Sequence, residues 1–409
     1  MIEMFPFDIE TTMSFLAQHA LTYAPVVNEK RVPVATRISI SPDRDGHLST
    51  AQAYEAIAGQ WNPDGGPLLL DLDARSPDAH LLELSPREDL WFEVPADFVT
   101  DPAGAELVID LHIKGFQMAM RGRPVEDLTP DLLEAFRMSL VPYADDRRQA
   151  EGLAPPSDKR KIPSALTGVK SITQMETAFK EGATAVVGWP FDDVTERAEG
   201  ASANPSFGVV AKLIQMIGAE ADPGEMEKEV RRDPALAFRL FRYLNSPAFG
   251  LRVEIQSFQH ALMMLGYKRL RKWLALLMAT AARDKNLQPV MFASLRRGFL
   301  IERLNKDNPD TQLRDEAFIM GVFSLLDKLF NEPFESLFER LPMPEAVYDA
   351  LVKSEGPLFP YLGLAGAIER TNERSVSESL GDVFISQEDC NIALLQALNE
   401  SGVTTASAG

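Results

Sequence analysis

The sequence predicts an α/β barrel followed by an all-α domain. Three observations carry this. Residues 1–195 alternate short apolar runs with amphipathic stretches in the order βαβα, which argues a parallel sheet. There are enough strands to close a TIM-like (β/α) barrel, although the segment is short for an eight-fold barrel of ~250 residues. From residue 205 to 400, apolar residues recur at helical spacing behind repeated cap signals. Between the two halves, Asp192–Asn204 is small and polar, as a domain boundary should be. The expected division is a barrel over 1–195, a linker over 196–204, a helical domain over 205–400 and a disordered tail over 401–409.

In the first half the expected strands are Val32–Ile40, Leu68–Leu72, Leu90–Val94, Phe116–Met120, Met138–Val141, Leu166–Val169 and Ala185–Val187. The expected helices are Thr50–Ala58, Ala103–Lys114, Asp131–Phe136 and Ile172–Glu181. Ser85-x-x-Glu88 and Thr173-x-x-Glu176 have capping-box spacing. Helices are expected to be missing or short near Tyr143–Ile162.

In the second half, Asn204-Pro205 and Asp222-Pro223-Gly224-Glu225 read as helix starts, because Pro loses nothing at the first helical position. Asp233-Pro234 is a third start, followed by Leu236, Leu240, Phe241 and Leu244 on one face, with Gly250 as a stop. Ser257 can cap a helix that buries Ala261, Leu262 and Leu265. Leu270, Trp273, Leu274 and Leu277 continue the pattern. Leu313–Leu326 is apolar enough for a core helix.

Composition narrows the function. The net charge is −19, with 18 basic against 33 acidic residues up to position 200 and 23 against 27 thereafter. Such a chain repels phosphate backbones, so nucleic acid is not an expected partner. The local exception is Lys268, Arg269, Arg271 and Lys272 with Trp273, read as a solvated helix face or as a docking patch for an acidic partner or a phosphate. The acidic N-terminus does not read as a signal peptide, and no apolar run reaches ~18 residues, so no membrane span is expected. The single Cys390 rules out an internal disulfide and suits a reducing cytoplasm. It falls in an amphipathic helix and reads as a packed residue. Walker, Gly-x-Gly-x-x-Gly and Gly-x-Ser-x-Gly motifs are absent, and no cofactor is expected.

Asp233-Pro234-Ala235-Leu236, Asn245-Ser246 with Phe249-Gly250, Ala261-Leu262-x-x-Leu265-Gly266 and the basic run after it resemble the HDOD domain. That domain is a helical relative of the HD phosphohydrolases that lacks their metal ligands. The resemblance implies a signalling and interaction module. The residues agree with it: His260 is the one histidine after position 200, and Ala261 follows it, so the His and Asp ligands of such a metal site are missing.

In the first half, Leu90-Trp91-Phe92-Glu93-Val94, Lys114-Gly115-Phe116-Gln117-Met118-Ala119-Met120, Thr167-Gly168-Val169-Lys170-Ser171 and Val187-Gly188-Trp189-Pro190-Phe191 resemble the EAL domain. EAL domains are barrels that hydrolyse cyclic di-GMP with metal ions held by carboxylates at strand ends. Aligned on those motifs, the family's ligand positions fall at Thr36, Arg121, Gly122, Lys170 and Val187. Asp71 and Glu93 alone carry a carboxylate at such a position. The resemblance therefore implies a degenerate, non-catalytic EAL domain without catalytic or metal-binding residues, since cations supply no lone pair. Two arrangements are open for the seven positions. Arg121 and Lys170 compensate Asp71 and Glu93, or the residues are exposed strand ends without mutual contact.

The expected function is that of a bacterial-type cytoplasmic signalling protein acting on a protein partner. A cyclic di-GMP receptor using Arg37, Arg121 and Trp189 is the alternative, and a residual phosphodiesterase the third reading.

Overall fold

In the computed structural model, residues 15–40, 49–72, 76–124, 127–146, 162–192, 205–230, 258–279, 285–340, 343–370 and 373–408 are described. The linker 196–204 lies outside these residues, as do the motif positions from Asp233 to Gly250 and Ser257.

Eight strands close into a barrel in chain order. They are β1 (Leu21–Asn28), β2 (Pro33–Ile40), β3 (Leu68–Asp71), β4 (Leu90–Pro95), β5 (Gln117–Arg121), β6 (Phe136–Pro142), β7 (Ser164–Thr167) and β8 (Ala185–Val187). β2 to β8 are parallel neighbours, whereas β1 runs antiparallel to both β2 and β8. The sequence reading missed β1. Pro25 at its centre lacks an N–H and demotes a run to a non-strand, and the run Leu21–Val27 is buried throughout instead of alternating. The parallel expectation is corrected at this strand: a four-residue hairpin joins β1 to β2, with Asn28 Oδ1 accepting from the amides of Lys30 and Val32.

Alternation divides each strand between two layers. Ala24, Val26, Ala35, Leu69, Ala119, Leu140, Ala165, Ala185 and Val187 fill the barrel interior, with Trp91 and Met138 against them. The alternate residues, such as Leu68, Leu70, Phe92 and Met118, are buried beneath the surrounding helices. Small residues dominate the interior because eight strands leave little room inside.

Helices over Thr50–Gln60, Pro102–Lys114, Pro130–Glu134 and Ile172–Lys180 flank the strands. Tyr54 of the first meets Phe92 and Phe116 edge-on at centroid distances of 6.3 and 5.3 Å. Arg87 terminates that helix, donating to Ala58 O and Trp61 O while pairing with Asp89. The expected capping boxes fall elsewhere. The box forms at Ser49 with Gln52, Ser171 rather than Thr173 caps its helix, and Ser85 precedes β4 instead of a helix. Spacing alone cannot tell a cap from a loop.

Gly188 at the exit of β8 has φ +143°, and a Cβ there would lie 2.2 Å from Val169 O. No side chain fits where these two turns cross.

The helical part contains helices over Pro205–Gly218, Pro223–Val230, Phe258–Ala279, Gln288–Leu304, Thr311–Phe323, Leu326–Phe330, Phe334–Arg340 and Glu345–Tyr348. Asp222 starts the second as expected, accepting from the amides of Gly224 and Glu225. Ala261, Leu262, Leu265, Leu270 and Leu274 are buried. Gln288–Leu304 and Thr311–Phe323 cross at Gly298 and Gly321, where a Cβ on Gly321 would lie 2.6 Å from Arg297 O and 2.7 Å from Gly298 Cα. Backbones this close need glycine on both sides.

Phe359–Glu369, Glu373–Val383 and Gln387–Ala408 complete the chain. The compact units are not contiguous in sequence. One comprises Met1–Asp192 with Gly366–Leu395, the other Asp193–Ala365 with Gln396–Gly409. Where a tail over 401–409 was expected, the last helix continues to Ala408, with Ser401 Oγ bonded to Leu398 O. The small polar residues there are weak helix breakers at most, and an existing helix propagates through them. No helix of the described residues is long and apolar enough to cross a membrane.

Candidate functional site

The seven parallel strands end at one rim, and the side chains that project inward there form a charged cluster. Inward residues alternate, so Arg37 and Ser39 of β2 share a face with Ala35, Asp71 of β3 with Leu69, Glu93 of β4 with Trp91, and Arg121 of β5 with Ala119. In-register pairing sets Ser39 beside Asp71.

Arg37 is the hub. Its Nε donates to Glu93 Oε1 at 2.5 Å and its Nη2 to Glu93 Oε2 at 3.0 Å, a two-pronged contact. The same guanidinium reaches Asp71 Oδ2 at 2.9 Å and Ser39 Oγ at 3.3 Å. Arg121 Nη1 meets Asp71 Oδ1 at 3.2 Å. Only 1% of the Glu93 side chain is exposed, against 13% for Asp71, 16% for Arg37 and 25% for Arg121. Charge thus sits deepest at Glu93, which could not stay ionised there alone. Burial pushes its carboxyl above the usual range, and Arg37 opposes that shift by charge and hydrogen bond. Burial also works against the Arg37 guanidinium, but Glu93 and Asp71 outweigh it and hold the proton more firmly than usual.

The seven predicted positions separate here. Asp71, Glu93 and Arg121 lie in the cluster. Thr36 is turned by alternation to the outer layer and is buried there, so Arg37 occupies the inward slot. Lys170 is exposed in the turn after β7, its amide bonded to Gln174 Oε1, and it does not balance the carboxylates. Arg37 takes that part instead. Gly122 follows Arg121 with φ +88°, its amide donating to Leu140 O. Val187 belongs to the apolar interior. Trp189 packs edge-on against Tyr23 at 5.3 Å and donates to Tyr23 O, so it braces β1. Sequence reasoning also missed the rim pair Arg123–Asp146 at 2.9 Å, whose carboxylate is fully buried. An arginine two residues past a strand-end arginine was the available signal.

The donor set does not suit carboxylate-held metal ions. Both rim carboxylates of the cluster are engaged by guanidinium groups, and no three His, Cys, Asp or Glu side chains among the described residues could together hold a metal.

In the helical part, Phe258–Ala279 is broken at Gly266, with φ 74° and ψ 165°. Lys268 and Arg269 are exposed and Arg271 half-buried, while the side chains of Lys272 and Trp273 lie outside the described set. Met263 and Met264, beside the break, are 73% and 44% exposed. Cys390 is buried, as expected of a packed residue.

Residues 205–331 match the family model of the HDOD domain. The cyclic di-GMP phosphodiesterase CdgJ of Vibrio cholerae is 31% identical over 178 residues, which cover 44% of this chain and 41% of that protein. The uncharacterised protein YuxH of Bacillus subtilis is 29% identical over 172 residues, covering 41% and 42%. The matches thus span about two fifths of each relative. Among solved structures, the FimX EAL domain of Pseudomonas aeruginosa bound to c-di-GMP is similar at a TM-score of 0.31, 16% identity and coverage of 45% of this chain and 94% of that one. BlrP1 of Klebsiella pneumoniae gives 0.31, 17%, 42% and 55%.

The expectation that this chain is not an enzyme is overturned by the first relative, which carries the name of a phosphodiesterase. The substitutions that the motif alignment implied at Thr36, Arg121, Gly122, Lys170 and Val187 concern one way of holding a metal. They say nothing of other means of stabilising phosphoryl charge, such as fixed guanidinium groups. The match over residues 205–331, together with the closed barrel ahead of it, identifies the chain as one that carries an HDOD domain behind an N-terminal eight-stranded α/β barrel.

Proposed function

We propose that the chain is a cyclic di-GMP signalling protein whose barrel rim binds the phosphates of that nucleotide. The observation that carries this is the pair of inward guanidinium groups, Arg37 and Arg121, at the strand ends. Each guanidinium has five donors in a planar fork that matches phosphate oxygens. Arg121 is the more exposed and gives Asp71 one contact, which leaves donors for a ligand. The similarity to a protein named for cyclic di-GMP turnover and the EAL-like motifs at β4 and β5 support the same nucleotide. In this reading the barrel is an EAL domain. A phosphate entering the rim competes with Asp71 for Arg121, and Glu93 keeps Arg37 in place.

The test is calorimetric titration of the chain with cyclic di-GMP, with and without Mg²⁺, followed by chromatography for the linear product. Saturable binding that weakens with added salt is the expected result. Arg121→Ala should weaken it about ten- to hundredfold, the worth of a charge-assisted hydrogen bond. Absence of heat at high ligand concentration would end the reading.

A second reading, an interaction with a protein partner through the helical part, is favoured by the exposed Met263 and Met264 beside Lys268 and Arg269. Flexible methionines next to cations suit an acidic amphipathic segment. Met263→Ser with Arg269→Glu should abolish capture of such a partner and leave nucleotide binding unchanged.

A further inference from the structure

Asn391 is fully buried, and every backbone group it is bonded to through its side chain lies far along the chain. Its Nδ2 donates to Leu16 O at 2.7 Å and His19 O at 2.6 Å, and its Oδ1 accepts from the amide of Leu21 at 3.1 Å. Gln387 Nε2 supplies a further donor to Oδ1 at 3.2 Å. Leu16 and His19 end a helical turn over residues 15–18, where carbonyls lack intrahelical partners. Leu21 is the first residue of β1. One amide side chain therefore closes a helix end and opens the first strand. An apolar residue of similar size would remove a hydrogen bond from each of three buried backbone groups.

The strand so held borders the rim. β1 is antiparallel, so its first residues lie beside the last of β2: Leu21 pairs with Ile40, Thr22 with Ser39 and Ala24 with Arg37. Thr22 Oγ1 also reaches Ser39 O at 3.5 Å. Ser39 and Arg37 are members of the charged cluster. Gly366–Leu395 groups with the barrel residues in one compact unit, in keeping with this tie.

We infer that Asn391 is a positioning residue for the rim: through it the segment Gly366–Leu395 holds the start of β1 and, across the β1–β2 pairing, the end of β2 that carries Arg37 and Ser39. The barrel is then incomplete without a segment that follows the HDOD match in sequence. This inference does not depend on which ligand the rim takes.

The test is amide hydrogen exchange of the full chain, read peptide by peptide by mass spectrometry. Asn391→Asp keeps the size and the acceptor for Leu21 but loses both donors, and it sets a carboxylate against two carbonyl oxygens. Protection of the β1 and β2 amides should fall roughly tenfold or more, while β5 and β6 keep theirs. The deficit relative to wild type should shrink as the pH drops through the range of the introduced carboxyl, because its protonated form regains one donor. Gln387→Ala, which removes a partner on the half-buried side, serves if the first variant does not fold and should give a smaller loss in the same strands. Unchanged β1 protection in either variant would overturn the inference. A loss spread evenly over all eight strands and independent of pH would do so too, since that marks a general packing role.

Discussion

Removing the guanidinium of Arg37 should expose how the rim is held together. Arg37→Met keeps the aliphatic stem and deletes the charge. Glu93, with 1% of its side chain exposed, then loses both prongs of its partner, and Asp71 keeps Arg121. Breaking a buried ion pair costs about 3–5 kcal/mol when one charge is left behind. Arg37 is 16% exposed at a rim, so water and Arg121 offset part of that and place the cost near the lower end, about 3 kcal/mol. Glu93 can escape the remainder by taking a proton. Burial already raises its carboxyl in the folded chain, and the variant raises it further. The folded state then holds more protons than the unfolded one between the unfolded value of ~4.3 and the raised folded value. The Glu93 contribution to stability is therefore fully present below ~4.3 and is lost as pH rises through the folded value. Arg37→Met should sit close to wild type in acid and fall away from it towards neutral pH. Adding Glu93→Gln should recover most of the loss. The assay is urea unfolding between pH 4 and 8 at constant salt, followed by exchange protection of the barrel strands so that the helical part does not blur the transition. A deficit that is the same at both ends of the pH range, or that Glu93→Gln leaves untouched, would refute the reasoning.

Other consequences can be checked separately. Arg121→Ala should cost well under 1 kcal/mol in unfolding measurements, because a quarter of its side chain is in solvent, even though it weakens nucleotide binding. Gly321→Ala should destabilise the helical part by about 1–3 kcal/mol or prevent its folding, because the added methyl meets backbone at 2.6–2.8 Å; unfolding followed by circular dichroism reads this, and a neutral result would contradict the close crossing. Burial pushes the Cys390 thiol up to about 12, so a thiol reagent at pH 8 should label the native chain far more slowly than the urea-unfolded chain; rapid native labelling would place Cys390 elsewhere.

Much of the architecture was legible because it rests on local periodicity. Short apolar runs located seven of the eight strands within a few residues, and the signals at Asn204-Pro205 and Asp222-Pro223 located two helix starts. β1 was invisible for a local reason, a proline in an evenly buried run, and its direction could not be read at all. The rim shows the same limit. Asp71, Glu93 and Arg121 were recognisable as strand-end charges, but a reading one residue out of register chose Thr36 over Arg37, and a one-residue slip reverses the face of a side chain. Lys170 had the right charge but sits exposed in the turn after β7, and the ion pairs of Asp71 and Glu93 are made by Arg37 and Arg121.

The sequence by itself determined that an α/β half precedes a helical half, since spacing and caps are written residue by residue, and its motifs carried the resemblance to the HDOD domain that the family match over 205–331 bears out. Only the tertiary structure decided which charges meet. Arg37 and Glu93 are 56 positions apart and Asn391 and Leu21 are 370 apart. Contacts over such separations depend on strand register and on how the chain returns upon itself, which no local pattern encodes.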